Sequence, residues 1–494
     1  MKTIMRSYKK IIKQHISFLL CIGMLLFNSC GEDWLDVSPS SEIKEGDLFS
    51  NEQGYKDALY GVYQKISEGA LYGDNLTIGF LDVLAQQYNT RSSAHIFFQA
   101  GLFQYQDSGV EARISQIWSN MYASIAQVNF ILKSIDENQN VFSSQLTYKI
   151  VKGEALGLRA LLHFDLVRMF GPSPLASDGT PAIPYMELFS VKNENRLNVE
   201  AVLQKCEADL LLSESLLADY TEMDEIRNPS GVLGSVDNFL SFRQNRLNYW
   251  AVKGLLARLY LYEGDKENAL IYAQDVINSK YFRFMTQGEL NTTGALNDRT
   301  FSYEHVFSLD VNDLRDTSDE YFRISANTSA ELNGKLIVPE DKVKQIYEVN
   351  LGYSSDPRYD KLWQYSQSVL VHAKFWQDDE LSPLISNLIP VIRLSEMYYI
   401  AAESEPNTEI AIGYLNQVRK ARFIPELPIT LDSASLDNEI FKEYRKEFMS
   451  EGQLFYYYKR KNMASIIDSQ ISPITNKEYV LPLPVRELEF GSNL

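Results

Sequence analysis

Apolar positions along this chain recur mostly at steps of three and four. Ile114, Ile117, Trp118, Met121, Ile125, Val128, Leu132 and Ile135 form one such series and place a single apolar stripe on a long helix over about 110–137. Val151, Ala155, Leu158, Leu162, Leu166 and Met169 repeat the spacing and stop at Gly171-Pro172. Beyond that point Pro172, Pro174, Pro181 and Pro184 prevent regular pairing. The helical period returns over 199–218, 248–263, 266–279, 393–403, 409–422 and 438–459. In the stretch beginning at Asn248, small residues (Gly254, Ala257, Gly264, Ala269, Ala273) stand among large apolar ones. That pattern lets two antiparallel helices approach closely, as in a tetratricopeptide repeat, although no strict 34-residue period runs through the chain.

Residues 281–388 differ. They are rich in Asn, Asp, Ser, Thr and aromatics, their helical period is weak, and they predict long excursions with short strands. The expected fold is mainly α: tetratricopeptide-like helix pairs form a scaffold over about 45–280 and 390–460. Irregular loops and a few short strands over 281–388 form an irregular, aromatic-rich face.

The N-terminus has a different pattern. Lys2, Arg6, Lys9, Lys10 and Lys13 precede an apolar run, ISFLLCIGMLLF, from Ile16 to Phe27. Twelve helical residues span about 18 Å, short of the ~30 Å hydrocarbon core, so the run suits a signal peptide over 1–29 better than a spanning anchor. Asn28-Ser29-Cys30 follows, and a small residue before a cysteine at this point resembles a bacterial lipobox, with Phe27 and Asn28 departing from its usual residues. Cys30 is then expected to open the mature chain and carry acyl chains, palmitate among them, each buried CH₂ contributing ~0.8 kcal/mol of membrane affinity. The bland alternative is an ordinary signal peptide with an incidental cysteine.

Composition narrows the function. The 494 residues carry a formal charge of -18, and the five basic residues of the leader face no acid there, so the remaining chain is more acidic still. Such a chain repels phosphate backbones, and no basic patch argues for nucleic acid. Three cysteines, Cys21, Cys30 and Cys206, exclude a disulfide scaffold. His15, His95, His163, His305 and His372 form no metal-binding spacing. Neither a metal nor a cofactor is implied. Nucleophile-elbow, P-loop and dinucleotide signatures are absent, and Ser41-Glu-Ile-Lys44 matches S-x-x-K without the motifs that accompany it.

Seven segments in order resemble the SusD/RagB family of nutrient-binding outer-membrane lipoproteins, from Cys30 to the C-terminus. They are the opening CGEDWLDVSP; Trp118, Tyr122, Ile125, Asn129 and Leu132 on the first long helix; and EALGLRALLHFDLVRMFGPSPL, through Glu154, Arg159, Arg168 and Gly171. IRLSEMYYIAAES, LNQVRKAR, EYRKEFMSEGQLFYYYKR and LPLPVREL complete the series. In the penultimate segment Glu443, Glu447, Glu451, Gly452 and Arg460 keep the family pattern. Tyr444, Leu454 and Tyr457 replace its usual Arg, Arg and Asp, which puts a local ion-pair network in doubt. The resemblance implies one mature unit over 30–494 on the cell exterior, lipid-anchored in the outer membrane. It also implies a non-enzyme that captures glycans or oligosaccharides for a TonB-dependent SusC-type transporter.

Two sets of residues then separate. Phe441, Tyr444, Phe448, Phe455 and Tyr458 follow helical steps and belong to packing, and Glu154 with Arg159 reads as a buried or helix-end pair. Aromatic and polar residues outside any stripe are the ligand candidates: Tyr72, Tyr88, Asn89 and Arg91 before the long helix, and Tyr303, Tyr353, Trp363, Tyr365 and Trp376 in the excursion. A flat ring stacks on a sugar's C–H face while amides and guanidiniums bind hydroxyls. The competing role for these rings is to pin long loops. Two other functions stay open: an all-helical glycoside hydrolase, which needs only two suitably spaced carboxylates, and a helical-repeat scaffold that binds only protein.

Overall fold

The computed structural model describes residues 48–190, 192, 194–221 and 238–491. The leader, its cleavage point and Cys30 lie outside the described residues. From Asn51 onward the chain makes one compact unit. Its first helix, α1 (Glu52–Ile66), is capped by Asn51, and α2 (Ser108–Ser134) by Asp107, whose carboxylate accepts from the Gly109 and Val110 N–H groups. The central helix α3 (Gln145–Phe170) is buried on every side from Gly153 to Phe170. It is therefore a core helix and not the one-stripe helix that the spacing of its apolar residues suggests. Helix α3 packs against α2 and against α4 (Val199–Leu217). A close approach requires glycine here: a Cβ on Gly157 would collide with the Leu247 side chain.

Helices α5 (Tyr249–Glu263) and α6 (Lys266–Ser279) form the hairpin expected from their small residues. Gly264, at φ +95°, turns the chain between them, and Asp265 caps α6. Gly254 serves a different neighbour: its missing side chain makes room for Ile392. Helix α6 stacks on α8 (Leu394–Ser404), which stacks on α9 (Thr408–Ala421), so the repeat-like pairing continues across the excursion.

Strands are few and short. β1 (Ile183–Pro184) pairs with β2 (Arg196–Leu197). β3 (His305–Asp310) and β6 (Leu388–Arg393) pair antiparallel, from His305 opposite Arg393 to Asp310 opposite Leu388, and pin the base of the excursion. Inside it lie α7 (Glu340–Ile346) and the hairpin of β4 (Trp363–Ser366) with β5 (Val369–His372).

The apolar period over 438–459 does not give one helix. α10 (Ser433–Glu447) and α11 (Gln453–Arg460) are separated by a turn in which Ser450 (φ +66°) and Gly452 (φ +70°) are left-handed. The doubtful ion-pair network is present, with partners from elsewhere in the chain. Arg358 binds Glu443 at 2.8 Å and Glu447 at 2.7 Å, Arg422 bridges Glu447 and Glu304, Arg393 reaches Glu451 at 2.6 Å, and Lys374 also pairs with Glu451. Tyr444, Leu454 and Tyr457 pack instead of pairing, with the two tyrosine rings 4.5 Å apart. Glu154 and Arg159, read as a pair, are both buried but have separate partners. Glu154 accepts from Tyr63 and pairs with Arg243, whereas Arg159 forks onto Asp209 at 2.6 and 2.7 Å.

Candidate functional site

The short helix Phe80–Leu84 ends in a turn, with Gln86 at φ +58°, that begins the stretch Gln86–Arg91. The Gln86 amide donates to the Gly101 carbonyl at 3.0 Å, and the Asn89 N–H donates to the Ile337 carbonyl at 2.9 Å. The first bond ties the stretch to the helix Phe98–Gly101 and the second holds it against the chain entering α7. Between them lies an open cleft of about 110 Å³, lined by Gln86 to Arg91, by Val338, Pro339, Lys342 and Ile346, and by Arg445 and Asp468. It is small and opens to the surface.

Three of the nine predicted ligand residues, Tyr88, Asn89 and Arg91, line this cleft. Tyr365 does not line it. The residue is 60% exposed, and its hydroxyl donates at 2.9 Å to Glu340 at the start of α7, the helix that also carries the lining residues Lys342 and Ile346. That bond raises the phenol pKa of Tyr365. The other five lie elsewhere. Tyr72 is buried with its hydroxyl on Asp165. Trp363 packs in the core with its centroid 4.9 Å from His372, and Trp376 is buried beneath the Arg323 guanidinium at 4.1 Å. Tyr303 holds Arg283 over its ring, and half-buried Tyr353 lies near Arg419 and Lys446. Tyr72, Trp363 and Trp376 therefore present no open face for stacking. Lys342, Arg445 and Asp468 were missed by sequence reasoning. Only folding brings them to the cleft: Arg91 donates to the Asp468 carbonyl across 377 residues.

Behind the cleft, the Tyr88 hydroxyl is 2.8 Å from Ser450 Oγ, which is 2.9 Å from His372 Nδ1. Asp82 accepts from the backbone N–H groups of Ser450 and Gly452 at 2.5 and 2.9 Å. Burial pushes the Asp82 carboxyl well up and, with help from Lys374, the His372 imidazole well down. The set contains the residue types of a catalytic triad without its wiring, because the carboxylate takes the serine's backbone N–H and does not orient the histidine. All four side chains are buried, so the set braces the cleft wall.

Among the described residues, no three or more His, Cys, Asp or Glu side chains gather as a metal site. A second cavity of about 390 Å³ is lined by the motif residues Trp118, Tyr122 and Asn129 together with Met186 and Phe189, and contains none of the predicted ligand residues. Cys206 is buried and its thiol pKa raised by burial, so it acts as a small apolar side chain.

Stacked helix pairs around a buried central helix, with a small open cleft lined by distant segments, define a helical-repeat protein. A family model described as "Starch-binding associating with outer membrane" matches residues 33–232, the SusD family model matches residues 280–484, and the chain belongs to this family. The resemblance read from the ordered motifs is borne out. The chain is 22% identical over 539 residues to SusD-like protein P2 of Formosa agariphila, with 98% of each chain covered. It is 21% identical to SusD-like protein P25 of the same organism, covering 96% of this chain and 97% of that one. Among solved structures, a SusD superfamily protein of Bacteroides thetaiotaomicron superposes with a TM-score of 0.69 at 23% identity, over 90% of this chain and 98% of that one. A SusD-like carbohydrate binding protein of Bacteroides vulgatus gives 0.67 at 17% identity, over 90% and 97%. The mainly helical fold with few short strands is the fold of that superfamily. Among the described residues no helix is long and apolar enough to cross a membrane.

Proposed function

We propose that this chain is a nutrient-binding lipoprotein of the outer membrane that captures glycans or oligosaccharides and delivers them to a TonB-dependent SusC-type transporter. In this reading the chain matures at Cys30 as one unit, is held by acyl chains facing the exterior, and binds without chemical turnover. The observation that carries the reading is the open cleft, in which amides and guanidiniums from distant segments surround a small space, with Tyr365 exposed on the same excursion. Those are the donor types and the stacking surface that a sugar needs. The starch-binding character of the family and the similarity to a carbohydrate binding protein of Bacteroides vulgatus support a carbohydrate ligand. The hydrolase alternative is weakened by the lining itself. Glycoside hydrolysis needs two carboxyl groups across the bond, and Asp468, already engaged by Lys342 at 2.9 Å, is the one carboxylate among the lining residues.

The test is calorimetric titration of the full chain in mild detergent with a panel of neutral and acidic glycans, followed by mass spectrometry of the mixture for products. Binding without products, weakened by Tyr365→Ala at unchanged melting temperature, is expected. Release of products sinks the capture reading.

A further inference from the structure

Four charged side chains line the cleft, and they do not balance: Arg91, Lys342 and Arg445 face Asp468 alone. Lys342 Nζ is 2.9 Å from one oxygen of that carboxylate, and Arg445 Nη2 is 4.0 Å from the other. Arg91 does not use the carboxylate; its Nη2 donates to the Asp468 backbone carbonyl at 2.9 Å. The surrounding cations are differently placed. Lys344 has Glu340 at 2.7 Å, Lys446 has Glu348 at 2.6 Å and Glu443 at 3.0 Å, and Lys442 has Glu439 at 2.6 Å. The cleft is thus a basic spot on a chain whose formal charge is -18. Self-repulsion among the acids of such a chain would favour neutral ligands, yet a local excess of cations attracts an anion. A guanidinium fork also matches a planar carboxylate or a sulfate through two hydrogen bonds.

We propose that the cleft binds the anionic unit of a charged glycan, a sugar carrying a carboxylate or a sulfate, and that Arg91 and Arg445 read its charge. This rests on the glycan-capture reading and specifies its substrate class. Asp468 then sets the selectivity from the opposite side, since its carboxylate competes with the ligand for the same cations.

The full chain in mild detergent is titrated with two matched pairs: an oligogalacturonate against its methyl ester, and a sulfated glycosaminoglycan oligosaccharide against its desulfated form. The anionic member of at least one pair is expected to bind ~10-fold tighter than its neutral partner, the margin shrinking as salt is added. The pair that shows the margin separates carboxylate from sulfate. Arg91→Gln and Arg445→Gln should each reduce the margin while the melting temperature holds. Asp468→Asn, which asparagine tolerates at the left-handed φ of +68°, should widen it, the opposite of what a purely structural role gives. Equal binding of both members, a margin that survives both arginine variants, or no binding of any anionic member overturns the proposal. Tight binding of the neutral members, lost in Tyr365→Ala, would overturn the charge preference and leave glycan capture standing. Released products would overturn capture and leave any charge margin standing.

Discussion

Glu447 is held by three buried arginines in the charged interior. Burial alone would push its carboxyl up, but Arg422, Arg393 and Arg358 together outweigh burial and hold it well below the usual carboxylate range. Removing its charge leaves three buried guanidiniums short of a partner. Glu447→Gln is therefore expected to lower the unfolding free energy by about 3–5 kcal/mol in urea denaturation, the range for breaking one side of a buried pair. A change near zero would mean that Glu304, Glu443 and Glu451 suffice. Titration gives an independent reading of the same residues. Burial raises Glu443 and Glu403, yet Lys446, Arg358 and Arg419 hold the first at about 2, and Arg460 and Lys461 hold the second at about 2. Both lie below the ordinary 4.5, so their stabilisation is complete above that value and disappears as pH falls toward 2. Asp74, raised to about 6 by burial, and Glu263, raised to about 7 by burial and nearby acids, act in the opposite sense and favour the folded state once protonated. The buried imidazoles of His163, held down by burial to about 3, and of His372 oppose this below about pH 6.5, because the unfolded chain takes up protons there that the folded one does not. The test is therefore made on one group: Glu263→Gln, measured by denaturant melts, is expected to raise stability more at about pH 7 than at about pH 5, and an equal effect at both would contradict this assignment.

At the scale of elements, caps and apolar periods locate most helices to within a few residues. The hairpin of α5 and α6 follows from its small residues, its Gly264 turn and its Asp265 cap. The failure falls between α10 and α11, where Phe441, Tyr444, Phe448, Phe455 and Tyr458 keep helical steps across a polar turn at residues 450–453. Gly452 is the residue that could have revealed it, being the position where the chain goes left-handed against another backbone. A Cβ there would collide with the Leu76 carbonyl oxygen, and the φ of +70° disfavours any side chain. Gly452→Ala is accordingly expected to cost roughly 2 kcal/mol or more in thermal or urea denaturation. A neutral effect would show that the turn yields easily. The same turn places the Ser450 and Gly452 N–H groups on Asp82, so a local backbone requirement also fixes the cleft wall.

For the whole molecule, the consequence to test is attachment. If Cys30 carries the acyl chains, Cys30→Ala should abolish lipid labelling and move the protein out of the membrane fraction, while the folded unit from Asn51 keeps its melting temperature. An unchanged membrane fraction would count against the anchor. The buried ion network operates at this scale as well, because it joins Arg358 and Lys374 of the excursion to Glu443, Glu447 and Glu451 of the last helices. The excursion that contributes to the cleft is thereby fixed to the scaffold by several charged hydrogen bonds, each holding the others in place.

The sequence alone determined what depends on near neighbours: helix periods, caps, the glycine turn of the α5–α6 hairpin, the separation of scaffold from excursion, and the ordered motifs of the SusD family. Tertiary structure decided which side chains meet. Tyr72, Trp363 and Trp376 lie outside any helical stripe and still end in the core, because burial is set by what folds over a residue and not by its own spacing. Arg91, Lys342, Arg445 and Asp468 share one cleft although Lys342 and Asp468 alone are separated by 126 positions. No local pattern records a contact of that range: the geometry exists only after the helix pairs have stacked and the strands at the base of the excursion have closed.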